Sequence, residues 1–375
     1  MTRSVVVALP PSISDLAVLV PGEIGAECDD AVRAIAALDA TRGTHLRPLA
    51  TLLLRAESVA SSKIEHEEAT IEDYARALHG SRANGSATAM VAAGGAMDLL
   101  LHGPIGEESI TAAHGLLLGA EPHEAPYAGR WRTMQNWIGG SDHAPRGALY
   151  VPPPPDRVAP LMADLVGFAR RRDLPVIVQA ALAHAQFESI HPFTDGNGRI
   201  GRALAAAVVR HRGLAQHVVV PTASALVTQR ERYFAALDAY RAGDAGPVVS
   251  AFARSARIAA EEARASADLV AGLPVRWREQ VGVPRAGSAP SLLVESLATH
   301  PIFTTDDVER RLGLPAPTAH RAVERLVAAG VVRPLTQRKR NQVWGAGALL
   351  DELDDLGVRI GVRARAEPWA SGPAG

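Results

Sequence analysis

The feature that most constrains the fold of this chain is a helical spacing of apolar residues that recurs along most of its length. Apolar side chains repeat every three or four positions in ten segments, and clusters of Gly and Pro separate the segments. Alternation typical of strands is scarce. The sequence therefore predicts a mainly α protein. The predicted helices span residues 30–40, 45–60, 71–78, 87–101, 109–118, 157–170, 176–190, 199–211, 230–241 and 246–273.

A separate pattern follows a stretch rich in Gly, Pro and Ser that ends near residue 290. Three short helical segments are predicted there, and Gly330 is placed to end the third. Two strand-like segments then flank a basic turn at 336–341. Three helices followed by a basic hairpin is the plan of a winged helix-turn-helix domain. The three helices are predicted at 291–300, 305–312 and 316–329, and the two strands at 331–335 and 342–344.

These patterns divide the chain into five expected parts. We expect an N-terminal helical region, a core that contains one predicted hairpin, a linker, the winged-helix domain and a flexible tail. The hairpin pairs Asn136–Ile138 with Leu149–Val151 across a Gly-rich loop. The expected boundaries are 1–105, 106–275, 276–290, 291–360 and 361–375.

Charge and cysteine content exclude several classes of protein. The 39 Lys and Arg residues balance 40 Asp and Glu residues, so the chain does not bind nucleic acid merely by being basic. Cys28 is the only cysteine, which excludes a disulfide framework and a Cys-based zinc site. No signal peptide and no apolar run of about 18 residues is present. We therefore expect a cytoplasmic protein with no membrane contact. Whether it forms a homodimer stays open.

The segment from His191 to Arg202 concentrates groups that suit phosphate chemistry. A helix is predicted to end before Pro192, and a new one to start near Gly198. A Gly-rich turn that leads into a helix leaves unpaired N–H groups at the helix N-terminus, where they bind phosphate. The twelve residues are His191, Pro192, Phe193, Thr194, Asp195, Gly196, Asn197, Gly198, Arg199, Ile200, Gly201 and Arg202.

Charged side chains of the same segment extend this interpretation. Arg199 and Arg202 are three positions apart, so their guanidinium groups share one face of the first helical turn and can reach phosphate oxygens. Asp195 lies where a carboxylate would hold Mg²⁺ beside those phosphates. His191 is placed to take a proton from a nucleophile.

The twelve residues match the Fic-domain signature HPFx(D/E)GNGRxxR at every fixed position. Other segments from residue 1 to about 275 also resemble Fic proteins. They are the stretch from Gln186 to Ile190, the stretch from Gly129 to Arg132, the hairpin ending in Tyr150–Pro154, and the stretch from Ser58 to Glu65.

The resemblance implies a protein adenylyltransferase, which transfers AMP from ATP to a hydroxyl side chain of a target protein and releases pyrophosphate. By the same resemblance, His191 would be the general base and Asp195 would bind Mg²⁺. Phe193 would anchor the loop in the core, and the hairpin at 136–151 would be a flap that aligns a target segment by strand addition. The nucleotide-binding residues would be Gly196, Asn197, Gly198, Arg199, Ile200, Gly201, Arg202 and Tyr233.

Fic proteins of this type carry an inhibitory helix with the pattern (S/T)xxxE(G/N). Ser61 and Glu65 fit the pattern, whereas His66 stands where Gly or Asn is usual. The resemblance implies that Glu65 pairs with Arg202 and takes the place of the γ-phosphate, so that ATP binds unproductively. Without the resemblance, Glu65 would be one acidic residue at a solvated helix end.

Several alternatives compete with this interpretation. Gly196, Gly198 and Gly201 also form a GxGxxG pattern, but a helix precedes it where a dinucleotide fold needs a strand, and no acidic residue follows at 216–221. His184, Glu188 and His191 share a helical spacing that suits metal ligands, yet a second ligand set is absent. Core or supporting roles suit His184 and Glu188 better.

The winged-helix domain favours a function of another class. Eight basic residues face five acidic ones between residues 291 and 344, and Thr318, His320 and Arg321 begin the predicted recognition helix. Residues 316–341 could therefore contact DNA, although winged helices also bind proteins. Two alternatives remain: a DNA-binding regulator that uses the Fic-like part as a nucleotide sensor, and an enzyme that removes AMP at the same site. The basic residues are Arg310, Arg311, Arg321, Arg325, Arg333, Arg338, Lys339 and Arg340.

Overall fold

The computed structural model describes residues 5–40, 46–141, 144–337 and 342–369. Fifteen α-helices and three strands form within these ranges. In chain order the helices are α1 (Gly22–Asp39), α2 (Leu46–Ile64), α3 (Ile71–Leu78), α4 (Gly85–His102), α5 (Glu107–Leu118), α6 (Val158–Ala169), α7 (Val176–Ile190), α8 (Asn197–His211), α9 (Thr222–Leu226), α10 (Arg230–Arg241), α11 (Gly246–Gln280), α12 (Ala289–Leu297), α13 (Thr305–Leu312), α14 (Ala316–Ala328) and α15 (Gly347–Ala366). The strands are β1 (Ile302–Thr304), β2 (Val332–Pro334) and β3 (Val343–Ala346).

Helix α7 forms the centre of the molecule. Every residue from Ile177 to Ile190 is buried, because α1, α6, α8, α10 and α11 surround the helix. A helix that is apolar on all sides is stable only in such a core. The Gln179 amide of this helix donates to the carbonyl oxygens of Phe168 and Ala169 at 2.9 and 3.1 Å. The C-terminal end of α7 therefore delivers the next residues from a rigid support.

Helix α2 brings the N-terminal region onto the same core. It packs against α4, α8, α9 and α11, and its last residue, Ile64, is fully buried. This packing places the end of α2 beside the start of α8. Helices α1 and α11 pair along much of their length and close the other side of α7.

The C-terminal part follows the order α12, β1, α13, α14, β2, β3. Its antiparallel sheet has the strand order β1–β3–β2, with Phe303 opposite Trp344 and Arg333 opposite Gly345. Thr304 caps α13 by accepting a hydrogen bond from the Asp307 N–H at 3.2 Å, and the Asp307 carboxylate accepts one from the Thr304 N–H at 2.9 Å. The predicted basic tip at 338–341 lies outside the described residues, and β1 was not predicted because three residues are too few to show alternation.

The sequence placed a helix end at residue 273, and this was wrong. Helix α11 continues through Pro274 to Gln280. An internal Pro costs a helix about 3 kcal/mol, but Trp277 and Val281 continue the buried stripe of α11 at 2% and 5% exposure. Burial of these two side chains offsets the lost hydrogen bond, so only 281–288 separate α11 from α12.

The expected tail at 361–375 was also wrong as far as residue 369. Helix α15 continues to Ala366 and packs on α2, α9 and α11. Gln229 donates to the Ala364 carbonyl oxygen at 2.6 Å, and Trp369 is 1% exposed. Among the described helices, none is long and apolar enough to cross a bilayer.

Candidate active site

The loop between α7 and α8 reverses the chain in six residues. His191 ends α7 in a left-handed conformation, with φ 48° and ψ 61°, and its N–H donates to the Phe187 carbonyl oxygen at 2.8 Å. Gly196, with φ 74°, precedes the first residue of α8. These two left-handed residues, one at each end of the turn, allow α8 to fold back against α7.

Phe193 anchors this loop in the core of the protein. Its side chain is fully buried and stacks on the His114 ring, with the ring centres 3.7 Å apart and the planes 4° from parallel. Burial lowers the pKa of His114 to about 4, so its ring is neutral at pH 7. Nδ1 of His114 accepts from the Gly129 N–H at 3.0 Å, and Nε2 donates to the Asp195 carbonyl oxygen at 3.1 Å. The sequence assigned His114 only a packing role, and nothing in its pattern revealed this support.

Arg132 is a second supporting residue, and its role was not predicted from the sequence. Its Nε donates to the His191 carbonyl oxygen at 2.9 Å, and Nη1 donates to the Met134 carbonyl oxygen at 3.1 Å. Nη2 donates to the Pro153 carbonyl oxygen, so this buried side chain joins the loop to both ends of the hairpin. Burial lowers the pKa of Arg132 to about 10, which leaves it charged at pH 7.

The predicted hairpin forms through isolated bridges rather than continuous strands, and one of them joins Ile138 to Tyr150. The Ile138 N–H donates to the Tyr150 carbonyl oxygen at 2.8 Å, and the Leu149 N–H donates to the Ile138 carbonyl oxygen at 2.8 Å. The Tyr150 hydroxyl donates to the Ser189 carbonyl oxygen at 2.7 Å, and the Arg241 guanidinium lies 4.0 Å above the Tyr150 ring. Residues 142 and 143 of its loop lie outside the described residues. The base of the hairpin is thus tied to α7 and α10.

The His191 imidazole lies between this hairpin and the start of α8. Two carboxamide nitrogens approach its Nδ1, that of Asn136 at 3.0 Å and that of Asn197 at 3.2 Å. Burial lowers the pKa of His191 to about 3, and the charges of Arg241 and Arg132 act in the same direction. The ring is therefore neutral at pH 7, as a proton acceptor must be.

The N-terminus of α8 presents an anion site. The Glu65 carboxylate already occupies it, because a Cβ on Gly198 would lie only 2.0 Å from Glu65 Oε1. Arg199 is 6% exposed, and its Nε and Nη1 have no hydrogen-bond partner among the described residues. Buried guanidinium donors are rarely left unpaired. Both observations indicate a place for negative charge.

Asp195 lies at the rim of this anion site. Its side chain is 57% exposed, and Oδ2 accepts from Arg199 Nη2 at 3.2 Å. Within the described residues, no three His, Cys, Asp or Glu side chains are grouped closely enough to hold a metal ion. A lone exposed carboxylate suits Mg²⁺, which keeps several waters and shares its remaining ligands with phosphate.

Arg202 is bound to the end of α2. Its Nε donates to the Ser61 hydroxyl at 2.9 Å, and its Nη2 donates to the Ser61 carbonyl oxygen and to Glu65 Oε1, both at 2.8 Å. The predicted pair of Glu65 and Arg202 is therefore present in the structure. Arg202 is only 3% exposed, whereas the Glu65 side chain is 33% exposed, so water reaches the pair from the carboxylate side.

The end of α2 requires a left-handed residue at position 66, where Gly or Asn is usual and where this chain has His. The His66 N–H donates to the Lys63 carbonyl oxygen at 3.1 Å, and the Glu67 N–H donates to the Ser62 carbonyl oxygen at 3.1 Å. This pattern is a Schellman motif, which requires a left-handed residue at the position of His66. His66 adopts φ 64° there and thus keeps the helix end that positions Glu65.

Three predicted nucleotide-binding residues, Tyr233, Ile200 and Gly201, pack into the core rather than facing the open site. Tyr233 is 1% exposed, and its hydroxyl contacts His184 Nε2 at 2.6 Å and Arg202 Nη1 at 3.4 Å. The Ile200 side chain is fully buried in the core. Gly201 packs on α7, where a Cβ would lie 3.0 Å from His184 Nδ1. Tyr233 supports Arg202 from behind, and His184 is a buried core residue.

The chain is similar to a known family model and to several known proteins. The model of the Fic/DOC family matches residues 104–209. A probable protein adenylyltransferase of Aquifex aeolicus is 36% identical over 110 residues, which are 29% of this chain and 31% of that protein. Protein adenylyltransferase Fic of Nematostella vectensis is 33% identical over 151 residues, or 39% of this chain and 31% of the relative. The matches thus span less than a third of these curated relatives.

A solved structure shares the fold over most of the chain. The crystal structure of a Fic family protein from Desulfovibrio desulfuricans G20 superposes with a TM-score of 0.58 and 22% identity. The superposition covers 88% of this chain and 97% of that one. It supports the mainly helical architecture described above.

Proposed function

Because residues 104–209 form a Fic/DOC family domain, we propose that the chain is a protein adenylyltransferase. It transfers AMP from ATP to a Ser, Thr or Tyr hydroxyl of a target protein. The observation that carries this proposal is the Glu65 carboxylate, which lies at the N-terminus of α8 against Gly198 and pairs with Arg202. An anion is already bound where the resemblance requires phosphate.

The residues around this site have separate roles in the proposed reaction. The target hydroxyl oxygen attacks the α-phosphorus, the bond from that phosphorus to the β-phosphate oxygen breaks, and pyrophosphate leaves. His191 accepts the hydroxyl proton. The N–H groups of Asn197 and Gly198 and the guanidinium of Arg199 receive the negative charge of the phosphates.

Asp195 is the residue that would hold Mg²⁺. Its exposed carboxylate lies beside Arg199 at the mouth of the anion site. When bound, Mg²⁺ supplies charge neutralisation on the phosphate oxygens. Arg199 and the start of α8 orient the same phosphates from the protein side.

Glu65 acts as a brake in this proposal. Its carboxylate and the γ-phosphate of ATP would compete for Arg202, because the Nε and Nη2 groups of Arg202 already donate hydrogen bonds to Ser61 and Glu65. ATP then binds with its phosphates displaced. Withdrawal of the end of α2 frees Arg202 and lets the triphosphate extend along α8.

The hairpin at 136–151 is where a target segment would dock. Leu149 is 84% exposed at this hairpin, and the Ile138–Tyr150 bridge holds the base of the hairpin beside His191. An extended peptide that adds to the hairpin would bring its own hydroxyl to the His191 ring. Main-chain pairing of this kind selects for an extended target segment rather than for one residue sequence.

A second candidate function concerns the C-terminal part. We propose that the part predicted at 291–360 contains a winged helix, supported by the order of the elements from α12 to β3, and with it the hypothesis of a DNA-binding regulator. His320 and Arg321 are exposed on α14. Several basic residues there are already engaged: His320 Nε2 lies 3.2 Å from Glu324 Oε1, Arg325 donates to the Val281 carbonyl oxygen at 2.7 Å, and Arg333 pairs with Asp351 at 2.8 Å. A steep fall of DNA affinity with salt would support this candidate, and no binding at low salt would rule it out.

Mass spectrometry tests the proposed activity. The full chain with Glu65→Gly is incubated with ATP, Mg²⁺ and a cell lysate, and modified peptides are sequenced. We expect an AMP adduct on a hydroxyl side chain, and the same variant with His191→Ala should give none. Phosphate adducts, or no adducts, would contradict the proposal. Loss of AMP from a previously modified target would instead favour the reverse reaction.

A further inference from the structure

The neighbours of His191 Nδ1 determine which ring nitrogen carries the proton. A neutral imidazole has one N–H and one lone pair, and only the nitrogen with the lone pair can act as a base. Nδ1 faces the carboxamide nitrogens of Asn136 and Asn197. Within the described ranges, the hydrogen-bond contacts of the His191 ring are made at Nδ1. Nε2 is therefore the nitrogen that can face a substrate.

Both carboxamides are oriented by the Phe193 backbone. Asn197 Nδ2 donates to the Phe193 carbonyl oxygen at 3.0 Å, while Asn197 Oδ1 accepts from the Phe193 N–H at 2.9 Å. Asn136 Nδ2 donates to the same carbonyl oxygen at 2.8 Å. Turning either amide over would place two oxygens in contact, so both present an N–H to Nδ1.

Two N–H donors at Nδ1 require a lone pair there, which places the proton of the neutral ring on Nε2. In that tautomer Nε2 cannot accept the proton of a target hydroxyl. The base form needs the proton on Nδ1 and a hydrogen-bond acceptor beside it. Asn197 cannot supply the acceptor, because two backbone contacts hold its carboxamide.

Asn136 can supply it once its carboxamide has moved away from the Phe193 carbonyl oxygen, which would otherwise repel the turned oxygen. Its Oδ1 is buried and has no hydrogen-bond partner among the described residues, and a single backbone contact orients its amide. Asn136 also lies on the hairpin, two residues before Ile138, whose pairing with Tyr150 closes the hairpin base. Movement of this strand would be transmitted directly to the Asn136 carboxamide.

We propose that Asn136 is a positioning residue that controls the tautomer of His191. In the arrangement described here it holds the proton on Nε2, and His191 becomes a base only when the Asn136 carboxamide turns its oxygen to Nδ1. An extended target segment added to the hairpin is the event that turns it. The base role rests on the proposed function, whereas the tautomer is a property of the protein alone.

Nuclear magnetic resonance of the full chain with ¹⁵N-labelled histidine tests the tautomer. The His191 signals are assigned by their loss in His191→Ala. We expect Nδ1 to be unprotonated and Nε2 protonated at pH 7 in the unmodified chain. In Asn136→Asp, the carboxylate offers only acceptors, so we expect the proton to move to Nδ1. Gln135→Glu is the matched control, since it adds the same charge one residue away, and the proton should stay on Nε2.

A protonated Nδ1 in the unmodified chain would overturn the proposal. A proton that stays on Nε2 in Asn136→Asp would also overturn it. A second arm compares AMP transfer in the Glu65→Gly background. Asn136→Asp should raise its rate about fivefold, the factor that corresponds to one hydrogen bond of about 1 kcal/mol. Absence of AMP transfer in both chains would contradict the proposed function and leave the result on the ring intact.

Discussion

Oε1 of Glu65 accepts a hydrogen bond from Arg202 Nη2 at 2.8 Å while it lies against Gly198 at the start of α8. The two residues are 137 positions apart in the chain, and the packing of α2 on α8 brings them together. One carboxylate thus satisfies a buried guanidinium and fills a helix N-terminus that suits phosphate. Restraint and nucleotide binding consequently depend on the same few atoms.

Gly198→Ala should abolish both functions of this helix end. The new Cβ would lie 2.0 Å from Glu65 Oε1 and 2.9 Å from Arg202 Nη1, so the carboxylate must move and phosphate oxygens meet the same obstacle. We expect isothermal titration calorimetry to show at least a tenfold loss of ATP affinity in the Glu65→Gly background. Gly95→Ala on α4 is the control, because no described residue outside the neighbouring turns of α4 lies within 4 Å of the added Cβ. Unchanged ATP affinity in Gly198→Ala would contradict the anion site.

Arg202→Lys should weaken ATP binding and restraint together. A lysine amine cannot reproduce the separate donors that reach Ser61 and Glu65, and it lacks the planar fork that binds phosphate. We expect basal AMP transfer to rise little and the transfer rate in the Glu65→Gly background to fall at least tenfold. Arg210→Lys makes the same change near the other end of α8 and should leave that rate unchanged. Full activity of Arg202→Lys in the Glu65→Gly background would show that Arg202 does not bind phosphate.

His66→Gly should tighten the restraint. A non-glycine residue in the left-handed region costs about 1 kcal/mol, and His66 adopts φ 64° at the end of α2. We expect urea titrations to show that the free energy of unfolding rises by about 1 kcal/mol. Basal AMP transfer, measured with labelled ATP, should fall. Val283→Gly is the matched control, since Val283 also has a positive φ, 44°, but lies after α11. It should add stability without changing AMP transfer; equal effects of both variants on transfer would contradict the role of His66.

Glu57 should make the stability of the chain depend on pH. It is 2% exposed on α2, its Oε2 accepts from the Ala223 N–H at 2.8 Å, and burial raises its pKa to about 8. A carboxyl whose pKa is higher in the folded state favours folding in its protonated form. Its contribution is therefore full below the ordinary pKa of Glu, near 4.5, and is lost as the pH rises to about 8.

Glu57→Gln removes this titration while it keeps an oxygen for the Ala223 N–H. We expect the unfolding free energy of the variant, relative to the unmodified chain, to increase steadily from pH 5 to pH 8.5 in urea titrations. Parallel pH profiles of the two proteins would show that Glu57 stays charged in the fold.

Much of the fold was predictable because its helices carry their own signals. The bounds of α3, α7, α10 and α13 are those predicted at 71–78, 176–190, 230–241 and 305–312. Long-range burial decided the cases that failed. Trp277 carries α11 past Pro274, and Trp369 is buried beyond the end of α15, yet neither feature has a periodic pattern that the sequence alone reveals.

In the candidate site, too, local motifs were predictable and long-range contacts were not. The loop from His191 to Arg202 and the contact of Glu65 with Arg202 were expected from the motif and from the resemblance. His114, Arg132 and Asn136 were not assigned roles, because each acts through backbone atoms or ring nitrogens that lie 55 or more positions away in the chain. Only the three-dimensional packing of the loop brings those atoms within reach.

The most direct test measures AMP transfer, with Mg²⁺, from ATP labelled at the α-phosphate in the unmodified chain and three variants. We expect little transfer by the unmodified chain, at least a tenfold increase in Glu65→Gly, and none in the same variant with His191→Ala. Glu68→Gly, an exposed acidic residue three positions after Glu65, controls for loss of charge and should behave as the unmodified chain. Equal transfer by the unmodified chain and Glu65→Gly would contradict the claim that Glu65 closes the phosphate site.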